Sequence, residues 1–229
     1  MVRQMVMHIP LPLEPELEHM VGEHQRKNLL PALRACLTGT GPGVIYVYGE
    51  PGSGRTYMMM ACQRWLEKHG HAGDVFYLSL KEECLDVRVL DGLERFRWLC
   101  IDHVETVLGQ VMWETALFDL CNRHQGHYLL VAGRDLPSQS CLIPDLASRW
   151  MAGLVYGMGG WGDDELAEFF EQAAKQRGLR LSAEQITYIL QRGPRQPGAL
   201  LKFLDRLDGY TLEKKRLVTL PVLRELLDH

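Results

Sequence analysis

Apolar positions along the chain fall into short blocks whose period alternates between that of a strand and that of a helix. Residues 1–24 are Pro-rich, mixed and aperiodic, and read as an extended flexible arm. From Asn28 the run LLPALRACL repeats Leu and Ala at helical spacing and stops at GTGPG. VIYVY (44–48), a β-branched and aromatic run bounded by glycines, predicts a buried strand. Helical period resumes through TYMMMACQRWLEKHG and ends at Gly70. Further strands are predicted at 74–80, 97–102 and 127–133, with a short one at 154–158 and a helix over 113–124.

Strands alternating with helices imply a parallel sheet covered on both faces. Past Gly160 the strands stop, and three helical stretches follow, GDDELAEFFEQAAKQRG, SAEQITYILQRG and GALLKFLDRLDGY, then a short helix from Pro221. Asp163 and Ser182 suit helix N-caps, the latter with Gln185 at the capping-box position. The predicted organisation is an arm over 1–24, a nucleotide-binding α/β domain over 25–160 and a small all-α domain over 161–229.

Composition excludes several classes. Apolar residues make up 46% and charged residues 24% of the 229, the profile of an ordinary globular protein and neither a disordered chain nor a coiled coil. Lys+Arg 25 against Asp+Glu 29 gives a net charge of −4, so the electrostatic footprint of a dedicated DNA-binding domain is missing. No apolar run approaches the roughly 20 residues needed to span a bilayer. The first residues lack a secretory signal pattern, so the expectation is a cytoplasmic protein. Six cysteines with no pair at CxxC spacing point to a reduced compartment without structural disulfides. His124 and His127 in NRHQGH lack companions at metal-ligand spacing and are read as a surface loop.

The strongest chemical signal is Gly49-Glu50-Pro51-Gly52-Ser53-Gly54-Arg55-Thr56, which fits the phosphate-loop pattern GxxxxGK[ST] except for Arg55 in the Lys position. It follows a strand and opens a helix, as phosphate binding requires. Glycines let backbone N–H groups wrap a phosphate, and the helix N-terminus adds partial positive charge. Thr56 is placed to reach Mg²⁺ and Arg55 to face the phosphates. A guanidinium is a planar fork where Lys is a compact charge, so the loop suits nucleotide binding better than γ-phosphate turnover. Asp102, at the end of RWLCID, has the Walker B position for Mg²⁺. An acid often follows directly to polarise water, but here the next residue is His103 and the next acid Glu105. ADP, or another nucleoside diphosphate, with Mg²⁺ held through it by Thr56 and Asp102, is the expected ligand.

IYVYGEPGSGRTYMM, LCIDHVE, WETALFDLCNR, IPDLASRW, GDDELAEFF and LDRLDGYTLEKKRLVTLPVLRELL together resemble the AAA+ ATPases, and within them the DnaA and Hda family, from about residue 28 onward. Arg55 in the loop and IDxxE in place of a paired acid are themselves similar to Hda proteins. The resemblance implies a P-loop domain followed by a helical lid, and a negative regulator of replication initiation. In such a regulator, Arg149 of PDLASR is an arginine finger that completes the site of ATP-bound DnaA, whose hydrolysis yields its ADP form. Gln4-Met5-Val6-Met7-His8-Ile9 is similar to peptides that dock on the DNA polymerase III sliding clamp (beta subunit). There Gln4 orients the peptide and Met5, Met7 and Ile9 supply apolar contact. His8 to Leu13 is a second possible frame.

The family's lid supplies a basic residue to the phosphates. Here Gly198 occupies that position and Arg195, three residues earlier, is the candidate replacement. Arg134, at the end of VAGRD, has no assigned role. The expected partners are thus DnaA and the sliding clamp, with no sequence-specific DNA contact, no membrane, and a homo-oligomer as an open option. The chain is expected not to be an enzyme in its own right. The alternatives are an ATPase resembling a DnaC-like helicase loader, or a scaffold with a vestigial loop.

Overall fold

The computed structural model describes residues 15–19, 22, 25–82, 85–214 and 218–227. They form two compact units, one within 15–160 and one within 161–227.

The first unit is built on five strands, β1 (Val44–Tyr48), β2 (Val75–Ser79), β3 (Trp98–Asp102), β4 (Tyr128–Gly133) and β5 (Leu154–Gly157). They lie in the order β2-β3-β4-β1-β5, every pair parallel. Helices α1 (Leu30–Leu37), α2 (Arg55–Lys68), α3 (Val111–Arg123), α4 (Pro137–Ser140) and α5 (Pro144–Met151) cover it. Side chains alternate across a strand, and that period divides the core into two layers. Ile45, Val47, Trp98, Cys100, Leu130 and Ala132 pack with α1 and α2. Their neighbours Tyr46, Leu99, Ile101, Leu129 and Val131 pack with α3 and α5. Each fully buried Leu, Ile or Val contributes roughly 1.5–3 kcal/mol.

The arm expected through residue 24 gives way earlier. Leu17 is buried against the first layer, the Glu16 N–H donates to Tyr57 Oη at 3.2 Å, and Lys68 pairs with Glu16 at 2.7 Å. A single leucine in a Pro-rich stretch has no periodicity to reveal it. The surface loop expected at the histidines is also corrected. His124 is only 4% exposed, its Nε2 lies 2.8 Å from the Phe96 carbonyl, and its ring meets His127 edge-on.

The second unit holds α6 (Asp163–Gln176), α7 (Ala183–Arg192), α8 (Pro197–Lys214) and α9 (Leu220–Leu227) around Phe170, Ile189, Leu204 and Leu223. Ser182 caps α7, with Gln185 reaching back to its N–H at 2.8 Å. Asp163 is the first helical residue of α6 and not its cap; Gly162 is the cap, because Glu165 accepts its N–H at 3.0 Å. No described helix is long and apolar enough to cross a membrane.

Candidate nucleotide site and a separate arginine

The phosphate loop leaves the carboxyl end of β1 and is fastened on both sides. Gly49 N–H donates to the Gly133 and Arg134 carbonyls at the end of β4, and Met158 N–H donates to the Tyr48 carbonyl at 2.7 Å. Ligands in open parallel sheets bind at the carboxyl ends of strands, and β1 sits there between β4 and β5. A Cβ on Gly49 would lie 2.4 Å from the Met158 carbonyl oxygen, so only glycine fits. Gly52 (φ 88°) and Gly54 (φ 94°) take the left-handed conformation that turns the chain into α2.

The residues present fit a phosphate group. α2 begins with no side-chain cap and no acid in its first turn, leaving its first N–H groups for an anion. Ser53 is 3% exposed, and its buried Oγ has no hydrogen-bond partner among the described residues. A native protein keeps few such atoms, and a phosphate oxygen would satisfy this one. Thr56, second in α2, is half-buried, and Glu50, Pro51 and Gly52 line the rim.

The charged side chains are arranged differently from the expectation that Arg55 faces the phosphates. Arg55 is 7% exposed and forks onto Glu105, with Nη2–Oε1 at 3.2 Å and Nη1–Oε2 at 3.5 Å. Arg134 pairs with Glu50 of the loop at 3.2 Å. Asp102 is fully buried. Tyr77 Oη donates to its Oδ2 at 3.0 Å and the His103 N–H to its Oδ1 at 2.8 Å. Burial, and then the Asp102 carboxylate, push the Tyr77 phenol well above its ordinary value. His103, with φ 60°, is the one non-glycine at positive φ among the described residues, and it turns the chain from β3 toward Glu105. No group of three His, Cys, Asp or Glu among the described residues is arranged to hold a metal by itself.

Arg149 lies at the other end of the sheet. It is exposed near the end of α5 and lines a cavity of ≈ 210 Å³ with Gly43, Val44, His124, His127 and Leu129. Gly43, Val44 and Leu129 mark the amino ends of β1 and β4, whereas the loop leaves the carboxyl end of β1. Five strand residues, about 16 Å, separate the two ends. Arg149 makes no ion pair among the described residues.

Glu114 escaped sequence reasoning. It is fully buried, and its carboxylate accepts the N–H groups of Gly109 (2.8 Å), Leu142 (3.0 Å) and Ile143 (2.7 Å). It thereby pins the segment that leads into α5. An acid in the first turn of a helix is ordinarily a solvated dipole partner, so only its position in WETALFDL hinted at more.

In the second unit, exposed Arg195 pairs with Asp163, and Gly198 borders open space. Gln4, Met5, Met7 and Ile9 lie outside the described residues.

Residues 163–227 match the family model described as Hda, lid domain. Among solved structures, domain III of the Thermotoga maritima replication initiation protein DnaA is similar at 19% identity, with TM-score 0.78 over 96% of this chain and 98% of that one. AMPPCP-bound DnaA from Aquifex aeolicus matches at 21% identity and TM-score 0.70, over 91% of this chain and 70% of that one. The Thermotoga maritima RuvB Holliday junction branch migration motor matches at 18% and 0.72, over 94% and 72%. The chain therefore has a DnaA-like AAA+ fold, a five-stranded parallel P-loop sheet followed by a helical lid. The lid match and this fold agree with the resemblance to the DnaA and Hda family.

Proposed function

We propose that this protein is a nucleotide-holding regulator of DnaA, with weak or no hydrolysis of its own. Its loop binds a nucleoside diphosphate such as ADP, with Mg²⁺ carried by the nucleotide. The arm docks through Gln4, Met5, Met7 and Ile9 on the DNA-loaded sliding clamp. Arg149 enters the nucleotide site of ATP-bound DnaA and stabilises the charge that develops on the transferring phosphoryl group. DnaA then passes to its ADP form and initiation is restrained.

The carrying observation is the separation between Arg149 and the chain's own loop, at opposite ends of the sheet. An arginine so placed cannot reach its own phosphates, but an exposed one without a carboxylate partner is available to another molecule. The engagement of both acids near the loop favours weak turnover. Glu105, the next acid after Asp102, is engaged by Arg55, and Asp102 is engaged by Tyr77 and His103. These engagements count against the helicase-loader reading.

Single-turnover hydrolysis of ATP prebound to DnaA, with the clamp loaded on DNA, tests the proposal. Stimulation that requires the clamp, Gln4 and Arg149, with no turnover by the protein alone, is the expected result. Hydrolysis by the protein alone, abolished by Asp102→Asn and indifferent to DnaA, would overturn it in favour of an ATPase.

A further inference from the structure

Two arginines approach the phosphate loop, and each is already held by a carboxylate: Arg55 by Glu105 and Arg134 by Glu50. Asp102 adds a third carboxylate at the end of β3. These five side chains sum to a net negative, although the loop's ligand is an anion. Attraction must come from the backbone N–H groups at the start of α2 and from Ser53 Oγ, which act at short range on the phosphates nearest the loop.

The two carboxylate pairs differ in strength. Arg134 and Glu50 are 53% and 72% exposed, and such a pair parts readily in water. Arg55 and Glu105 are 7% and 26% exposed and joined through both guanidinium nitrogens. Parting them strands a charge in a mostly dry place. A ligand held by the backbone leaves this pair intact. A ligand bringing one more phosphate must draw Arg55 off Glu105 or carry its extra charge toward a carboxylate.

We infer that Glu105 is the residue that sets ligand charge at this loop: by holding Arg55 it admits a nucleoside diphosphate and disfavours the triphosphate. This rests on the nucleotide reading above. Glu105 is a specificity-determining residue in this role, acting through Arg55 and through its own charge.

Calorimetric titration of the full chain with ADP and with AMPPCP, each with Mg²⁺, tests the inference without any hydrolysis readout. The wild type binds ADP more tightly than AMPPCP. Glu105→Gln, which keeps shape and removes charge, tightens AMPPCP about tenfold while ADP changes by less than about twofold, the scale of one charge–charge term near a protein surface. Arg55→Lys, which replaces the fork with a single ammonium, moves the ratio the same way and serves if the first variant does not fold. A ratio unchanged in whichever variant folds, or a wild type that binds both ligands equally, overturns the role of Glu105 and leaves nucleotide binding standing. A wild type that binds neither overturns the nucleotide reading and this inference together.

Discussion

At the carboxyl end of the sheet Arg55 and Arg134 are each answered by a carboxylate, whereas at the amino end Arg149 stands exposed with none among the described residues. The two ends share strands β1 and β4, so the difference reflects the residues placed there and not the fold. The loop end is internally satisfied, with glycine geometry, a buried acid and tied cations, which suits holding a ligand in place. The Arg149 end leaves that arginine, like Arg97 ahead of β3, without a carboxylate among the described residues, and Arg149 stands on a pinned helix, which suits delivery to a second molecule. In an ATPase that turns over as a single subunit, the charges that stabilise turnover would converge on the chain's own loop.

Removing Arg149 is the largest expected effect. Arg149→Ala should lower clamp-dependent stimulation of DnaA hydrolysis by about 10³-fold, the low end for an arginine finger supplied in trans. ADP affinity should be unchanged, and unfolding free energy should shift by no more than about 0.5 kcal/mol for an exposed side chain. If ADP affinity fell in parallel with stimulation, the two ends would not be independent.

Next is the support beneath Arg149. Glu114→Ala leaves the Gly109, Leu142 and Ile143 N–H groups without their acceptor, at an expected cost of about 3 kcal/mol in urea unfolding. Where the variant is folded, stimulation should fall while ADP binding holds. Equal losses at both ends would mean that Glu114 supports the whole sheet and not the Arg149 end.

Ser53→Ala sharpens the contrast from the loop side. Deleting a buried hydroxyl that lacks a partner should leave the melting temperature without nucleotide unchanged or raised, by the equivalent of about 1 kcal/mol. ADP affinity should weaken about fivefold, one modest hydrogen bond. A lower melting temperature without nucleotide, with ADP affinity intact, would show the hydroxyl serving the fold and not the ligand.

Which parts of this were legible in the sequence follows from how far each signal reaches along the chain. VIYVY and WLCID declare strands because β-branched and aromatic runs between breakers are local facts, and GEPGSGRT declares a phosphate loop for the same reason. The Arg55–Glu105 pair joins residues fifty positions apart, and nothing near either residue names the other. Leu17, Glu114 and His124 were hidden likewise: each is an ordinary residue type for its segment, buried by a partner distant in sequence. The segment 87–95 carried no clear period and forms two short 3-10 turns whose Leu90 and Leu93 close the second core layer. Arg149 was singled out by a resemblance, and its position at the end of the sheet away from the loop emerges only once β1 and β4 are aligned.

The smallest expected effect is a dependence on pH at the Arg149 end. Burial holds the His124 imidazole below its ordinary value near 6.5, and neighbouring His127 lowers it further, while the Phe96 carbonyl and Glu94 oppose the shift. The folded protein thus prefers the neutral ring, which donates Nε2–H to the Phe96 carbonyl. In the unfolded chain the ring takes a proton near pH 6.5, so its contribution is fully present above that pH and is lost as pH falls below it. Thermal unfolding from pH 8 to pH 5 should show the wild type losing stability faster than His124→Gln, whose amide can donate to the same carbonyl without titrating. Because His124 lines the cavity beside Arg149, stimulation of DnaA should fall over the same interval while ADP affinity changes less. Parallel unfolding curves for the two proteins would remove His124 as the source, and an equal pH dependence of ADP binding would erase the distinction between the ends.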